Sequence, residues 1–180
     1  MSNYYTTRGD DGTTGTLGSG RLPKHHPHIR ALGAVDEANA ALGLARSLSA
    51  QPETGPIIQS VQRDLYVMMT VIASSPDNTD RFPPFKTERL GWLEKQIQIL
   101  EEIVPSPEAF ILPGDTPASG ALALARTVVR RAERHLSLIL EDGLLEQPGL
   151  LTYLNRLSSL CFVLELHEIN TSPTLAKDSS

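Results

Sequence analysis

Between Thr116 and Gly143 apolar residues recur every three or four positions, at Ala125, Val128, Val129, Ala132, Leu136 and Ile139. That spacing puts them on one face of a 3.6-residue helix, whereas in a strand it would scatter them over both faces, so the segment is committed to an amphipathic helix. Thr116 offers a side-chain cap, Pro117 suits the first helical position, and Asp142-Gly143 ends the run. Four further segments carry the same period: residues about 29–47 (Leu32, Val35, Leu42, Ala45), 56–74 (Ile58, Val61, Leu65, Met68, Ile72), 87–104 (Leu90, Leu93, Ile97, Leu100, Val104) and 148–168 (Leu151, Leu154, Leu157, Cys161, Leu164). Thr87 is expected to cap the third of these, which Pro105 and Pro107 close; Trp92, off its stripe, is expected to face a neighbour. No stretch alternates and no repeat recurs, so the expected fold class is all-α, an up-and-down bundle of five helices with no strand.

The chain has 180 residues, 40% of them apolar and 21% charged, which fits one domain around one core. A formal net charge of −5 argues against nucleic acid as the main partner, because binding a phosphate backbone needs a clustered basic surplus. No apolar run reaches the length of a membrane span, and the first residues lack the apolar centre of a signal peptide, so no membrane partner and a cytoplasmic location are expected. The single cysteine, Cys161, has no intramolecular partner and lies in the apolar run LCFVL, which reads as core in a reducing compartment. The expected layout is a polar arm over 1–28, a helical domain over 29–169 and a tail over 170–180, too polar to bury itself and expected to lack order.

The arm holds a glycine-rich stretch, YTTRGDDGTTGTLGSGRLPK over residues 5–24, bracketed by Arg8, Arg21 and Lys24. Glycines free the backbone to present N–H groups and threonines add hydroxyl donors, as a cradle for a phosphate requires. The stretch is not a Walker loop, since no Gly-Lys-Ser/Thr follows the glycines, and the alternative reading is a mobile arm. With little apolar surface to hold it down, it is expected to be ordered only by a nucleotide.

Arg126, Arg130 and Arg134 stack along one margin of the 117–141 segment with Glu133 among them. Cations at that spacing repel one another unless an anion lies against them, and they adjoin the apolar stripe instead of opposing it. In the first helical segment, Asp36 and Asn39 form a polar pair beside an alanine-rich stripe. His25, His26 and His28 precede that helix at irregular spacing, with Pro27 between two of them, and are read as loop residues and not as metal ligands.

These motifs together resemble the PduO-type ATP:cob(I)alamin adenosyltransferase family. The resemblance rests on GDDGTTG with GSGRLPK after it, on GAVDEANAALG, FILPGDTPAS and ARTVVRRAERH, and on YLNRLSSLCFVL, in that order over nearly the whole chain. It implies a homotrimer of five-helix bundles that binds ATP and cobalamin in clefts between subunits and moves the 5′-deoxyadenosyl group of ATP to cobalt, releasing triphosphate. The resemblance assigns ATP to Tyr5, Thr6, Thr7, Arg8, Gly9, Asp10, Gly12, Thr14, Gly15, Gly20, Arg21 and Lys24 of the loop. It adds Asn39, Arg126, Arg130, Glu133, Arg134 and Asn155 from the helices. Arg126, Arg130 and Asp36 are the implied catalytic residues, with Asp36 reaching Arg126 across a subunit boundary. Phe110, Leu112, Pro113 and Gly114 would meet cobalamin, Phe110 keeping the axial base off the lower face of the corrin. Magnesium would accompany the triphosphate, no protein metal site is implied, and a cobalt reductase and a cobalamin-dependent acceptor enzyme are the expected partners. Against the family's usual pattern Thr7 and Arg8 stand in exchanged order, Asp115 replaces a glycine, Ser159 an aspartate, and Met69 and Val71 a glycine and a glutamate. The alternative function is a non-catalytic homologue that binds or delivers corrinoid or serves a regulatory partner.

Overall fold

The computed structural model describes residues 4, 6–75, 78, 81–82, 84–169 and 171–176. Among them are five helices: α1 (Pro27–Leu48), α2 (Thr54–Ala73), α3 (Glu88–Glu101), α4 (Pro117–Glu141) and α5 (Pro148–Ile169). α4 follows the sequence closely. Thr116 Oγ1 accepts from the Ser119 amide at 3.0 Å while Ser119 Oγ accepts from the Thr116 amide at 2.9 Å, so two N–H groups that the helix start would orphan are satisfied reciprocally. α1 begins two residues earlier than its apolar period, because Pro27 fits its first turn and the His26 ring nitrogen accepts from the His28 amide at 3.2 Å. Thr87 precedes α3 but does not cap it through its side chain. Its backbone is already helical (φ −63°, ψ −27°), which turns the hydroxyl away from the amides that an extended cap residue reaches.

α4 packs between α1 and α5, α2 lies against α1, and α3 against α5. α1 and α4, which pack together, both bury small residues, Ala31, Ala34, Ala38 and Ala45 on one and Ala121, Ala125 and Ala132 on the other, and small side chains let backbones approach closely. Larger side chains fill the flanks: Leu65, Met68, Leu93, Leu136, Ile139 and Leu154 are fully enclosed. Each such burial stabilises the fold by about 1.5–3 kcal/mol before conformational entropy is charged against it. No helix among the described residues is long and apolar enough to cross a membrane.

Two features depart from the all-helical expectation. The glycine-rich stretch folds into an antiparallel hairpin, β1 (Thr13–Gly15) with β2 (Arg21–Pro23), in the register Thr13↔Pro23, Thr14↔Leu22 and Gly15↔Arg21. Gly12 sits just before it at φ +81°, a conformation that other residues rarely adopt. The hairpin is also anchored. The Leu17 amide donates to the Ala73 carbonyl at 2.8 Å and the Ser75 amide to the Leu17 carbonyl at 3.2 Å, pinning the connection to the end of α2. Backbone bonds thus tie the hairpin to the end of α2. Of the tail, expected to lack order, the structure describes residues 171–176. Residues 171–176 run back along the loop before α4, with Ile111 and Leu175 in an antiparallel bridge.

Candidate functional site

The hairpin is braced by its own charged residues. Asp11 accepts from the Thr13 amide and from Thr13 Oγ1, both at 2.8 Å, and those bonds hold its carboxyl below the usual carboxylate range. Arg21 donates through Nε to Thr13 Oγ1 at 2.9 Å, lies 3.8 Å from Asp11, and bonds the Arg8 carbonyl. Its guanidinium is thus partly committed within the loop. Thr7, Arg8 and Gly9 form a 3₁₀ turn leading into Asp10, and Thr6, Thr7, Arg8 and Asp10 are exposed. A side chain at Gly9 would start 3.4 Å from the Lys24 ammonium, and one at Gly20 only 3.1 Å from Thr16 Oγ1, so both glycines make room for neighbours that carry donors. Gly12, Thr14 and Gly15 line the hairpin itself, and Tyr5 lies outside the described residues.

α4 and α5 bring the second group together. Asn155 Nδ2 donates to Glu133 Oε1 at 2.9 Å, and Arg156 donates to Asn155 Oδ1 at 3.0 Å while reaching Glu94 at 3.1 Å. Arg134 folds back to donate to the Arg130 carbonyl at 3.0 Å, and Arg130 is exposed. Arg126 is half-buried, its guanidinium 5.9 Å from the centre of the Phe162 ring, and its enclosed Nε has no acceptor. Asp36 is exposed, and among the described residues it makes no ion pair with Arg126 within one chain, whereas Glu37 of α1 pairs with Arg131 of α4. Asn39 Oδ1 is enclosed without a donor.

The third group is a cleft of about 960 Å³ whose lining includes Phe110, Pro113, Arg126, Arg130, Ser158, Phe162 and Glu165. Phe110 is 89% exposed there, an aromatic ring offered to solvent where burial would be the rule. Leu112 is half-exposed outside the lining, and Gly114 takes φ +113° to turn the chain towards α4. No described residue of the hairpin lines this cleft.

Over this geometry lies a family match. The sequence model of the cobalamin adenosyltransferase family covers residues 4–168. The chain belongs to that family. It is 34% identical to the corrinoid adenosyltransferase of Mycobacterium bovis over 171 residues, 91% of this chain and 87% of the relative. It is 35% identical to the corrinoid adenosyltransferase PduO of Citrobacter freundii, covering 89% of this chain and 48% of that longer protein. Two solved structures of variants of the PduO-type ATP:corrinoid adenosyltransferase from Lactobacillus reuteri are similar in fold. One, complexed with cobalamin and ATP, has a TM-score of 0.88 at 30% identity over 97% of this chain and 99% of that one. The other, complexed with ATP, has a TM-score of 0.84 at 32% identity over 96% and 99%.

Two residues of this adenosyltransferase-family chain carry chemistry that the motif reading passed over. Glu165 is 1% exposed at the wall of the cleft, with Oε2 unpartnered. Burial pushes its carboxyl up, the Arg126 charge pulls it back, and Asp115 pushes it up again. The signal was present as a lone carboxylate one turn after Cys161 in an otherwise apolar run. Cys161 itself is fully enclosed, and burial pushes its thiol up to about 12, which makes it inert packing. Asp64 is the other: it sits in the core face of α2 and binds Arg89 and Tyr153.

Proposed function

We propose that this chain transfers the 5′-deoxyadenosyl group of ATP to the cobalt of cob(I)alamin, giving adenosylcobalamin and triphosphate. One observation carries the reading: Phe110, suited to a corrin face, and Arg126 and Arg130, suited to a triphosphate, line a single cleft. Cob(I)alamin is a strong nucleophile. Its cobalt lone pair attacks the ribose 5′ carbon, the Co–C bond forms as the C–O bond breaks, and the electron pair leaves on the triphosphate. No general base is needed. The protein has to orient the two substrates, stabilise the charge that develops on the leaving group, and keep water out.

In this reading the assembly is a homotrimer of up-and-down bundles, which supplies what one chain lacks. The hairpin of one subunit closes over ATP held against the arginine face of its neighbour, and the exposed Asp36 meets Arg126 across that boundary. Arg130 and Asn155 reach the nucleotide, Glu133 orients Asn155, and Arg134 backs Arg130. Phe110, with Leu112, Pro113 and Gly114, faces the corrin; its ring excludes water and the axial base from cobalt and offers no lone pair of its own. A magnesium ion accompanies the triphosphate, held chiefly by the phosphates with one or two protein ligands at most. We place the enzyme in the cytoplasm, with a cobalt reductase before it and a cobalamin-dependent enzyme after it.

The direct test is incubation with Mg-ATP and chemically reduced cobalamin. Stoichiometric adenosylcobalamin and triphosphate are expected. Corrinoid binding without either product would favour a carrier instead.

A further inference from the structure

The position of Phe110 has no evident cause in packing. Its side chain is exposed (89%), so burial does not hold it, and it opens a loop whose Pro113 and Gly114 are turn formers. What holds it is the tail. The Ala176 amide donates to the Phe110 carbonyl at 2.7 Å and the Leu112 amide to the Thr174 carbonyl at 2.8 Å, around the Ile111–Leu175 bridge. The tail is itself fixed at one point: Asp115 Oδ2 accepts from the Thr174 amide at 2.9 Å and Oδ1 from the Thr174 hydroxyl at 2.6 Å. Asp115 adjoins Thr116, whose capping box ties it to the start of α4 and whose hydroxyl lies 3.4 Å from the Glu168 carbonyl on α5. The line of restraint therefore runs from the rigid ends of α4 and α5, through Asp115 and Thr174, to the backbone of Phe110.

The tail is also a wall. Ala176 lines the cleft that holds Phe110 and Arg126, while Leu175 lines a second cleft of about 510 Å³ on its other side. Slack at Thr174 would move the ring and the wall together.

We propose that Asp115 is a positioning residue for Phe110: by fixing Thr174 it sets the register of a two-stranded clasp between residues 110–112 and 174–176, and so holds the ring at the corrin cleft. The role rests on the assignment of Phe110 to the corrin under the proposed function. A glycine at 115 would have no side-chain oxygen with which to anchor the clasp, so the aspartate adds a restraint. A two-point bond to both the amide and the hydroxyl of one residue fixes register as well as proximity, since sliding the tail by one residue would break both.

Full-length Asp115→Gly and Thr174→Val proteins test this beside Thr174→Ser, which keeps both donors. Amide hydrogen exchange at Leu112 and Ala176 reads the clasp without reference to function, and exchange on the order of tenfold faster is expected in the first two variants and not in Thr174→Ser. With cob(II)alamin and ATP bound, the four-coordinate signal in electron paramagnetic resonance should fall in the same two variants and persist in Thr174→Ser, with ATP affinity unchanged throughout. Unchanged exchange would overturn the anchor, and faster exchange with an undiminished four-coordinate signal would reduce the clasp to a structural one. Absence of the signal from the wild-type complex would defeat the assignment of Phe110, and the positioning role with it, whatever the exchange data said of the clasp.

Discussion

The Tyr153 hydroxyl donates to Asp64 Oδ2 at 2.6 Å, on the same carboxylate that Arg89 grips through two bonds of 2.7 Å. One acid thus joins α2, α3 and α5. Arg89 adds a bond of 2.8 Å to Ser60 and lies 4.1 Å from the centre of the Trp92 ring, so Trp92 packs under a side chain of its own helix. Desolvation and the neighbouring carboxylate drive the Tyr153 hydroxyl well above its ordinary titration, which keeps it a donor. Asp64→Ala should destabilise the fold by about 3 kcal/mol, because it strands a guanidinium and a buried hydroxyl at once, whereas Tyr153→Phe should cost about 1–2 kcal/mol. Urea denaturation of both variants checks the order; equal costs would mean that the carboxylate is solvated and the triad incidental.

Glu133 orients Asn155 through the 2.9 Å bond between them. If Asn155 reaches the nucleotide, losing that restraint should lower kcat/KM for ATP by about tenfold to a hundredfold in Glu133→Ala, the scale of a small misplacement. Glu133→Gln keeps an acceptor and should retain most of the activity. Full activity in Glu133→Ala would remove Glu133 from the site.

Asp36 and Arg126 are unpaired within one chain, and Arg126 Nε is enclosed without an acceptor. Where an interface desolvates the pair, removing one partner should cost about 3–5 kcal/mol, enough to shift subunit association. Asp36→Arg and Arg126→Asp should each weaken the oligomer in sedimentation velocity, and the two together should restore part of it. An additive double variant would show that the residues do not meet.

Glu165 gives a pH signature with a definite sign. Its carboxyl titrates above the ordinary 4.5 when folded, chiefly because it is buried. As pH rises past 4.5 the unfolded chain gives up this proton first. The contribution of Glu165 to stability is therefore whole below that pH and declines as pH rises through the folded value. Thermal unfolding of the wild type against Glu165→Gln should show a stability gap that moves in favour of the glutamine variant from pH 4.5 towards neutrality. A gap independent of pH would mean that Arg126 offsets the burial.

The helices were legible because their signals are local. The stripe of α4 and its Thr116 cap lie within single turns, and every residue expected on that stripe is buried. Asp64 was hidden for the opposite reason: its partners are 25 and 89 residues away, and no period marks which polar residue in an apolar face has found one. The resemblance named Arg126, Arg130 and Phe110, and all three line one cleft. The hairpin strands escaped notice because three residues are too few to display alternation.

The sequence by itself determined five helical segments and the alignment of Arg126, Arg130 and Arg134 along one margin of α4, since helix period, caps and charge spacing act within a few residues of one another. Tertiary structure alone decided what joins them. Leu17 meets the end of α2 across more than fifty residues of chain, and Asp115 meets Thr174 across 59. Such bonds are made between backbone groups and short polar side chains common to many positions, so their partners are chosen by the packing of α1 to α5 and by nothing written beside them.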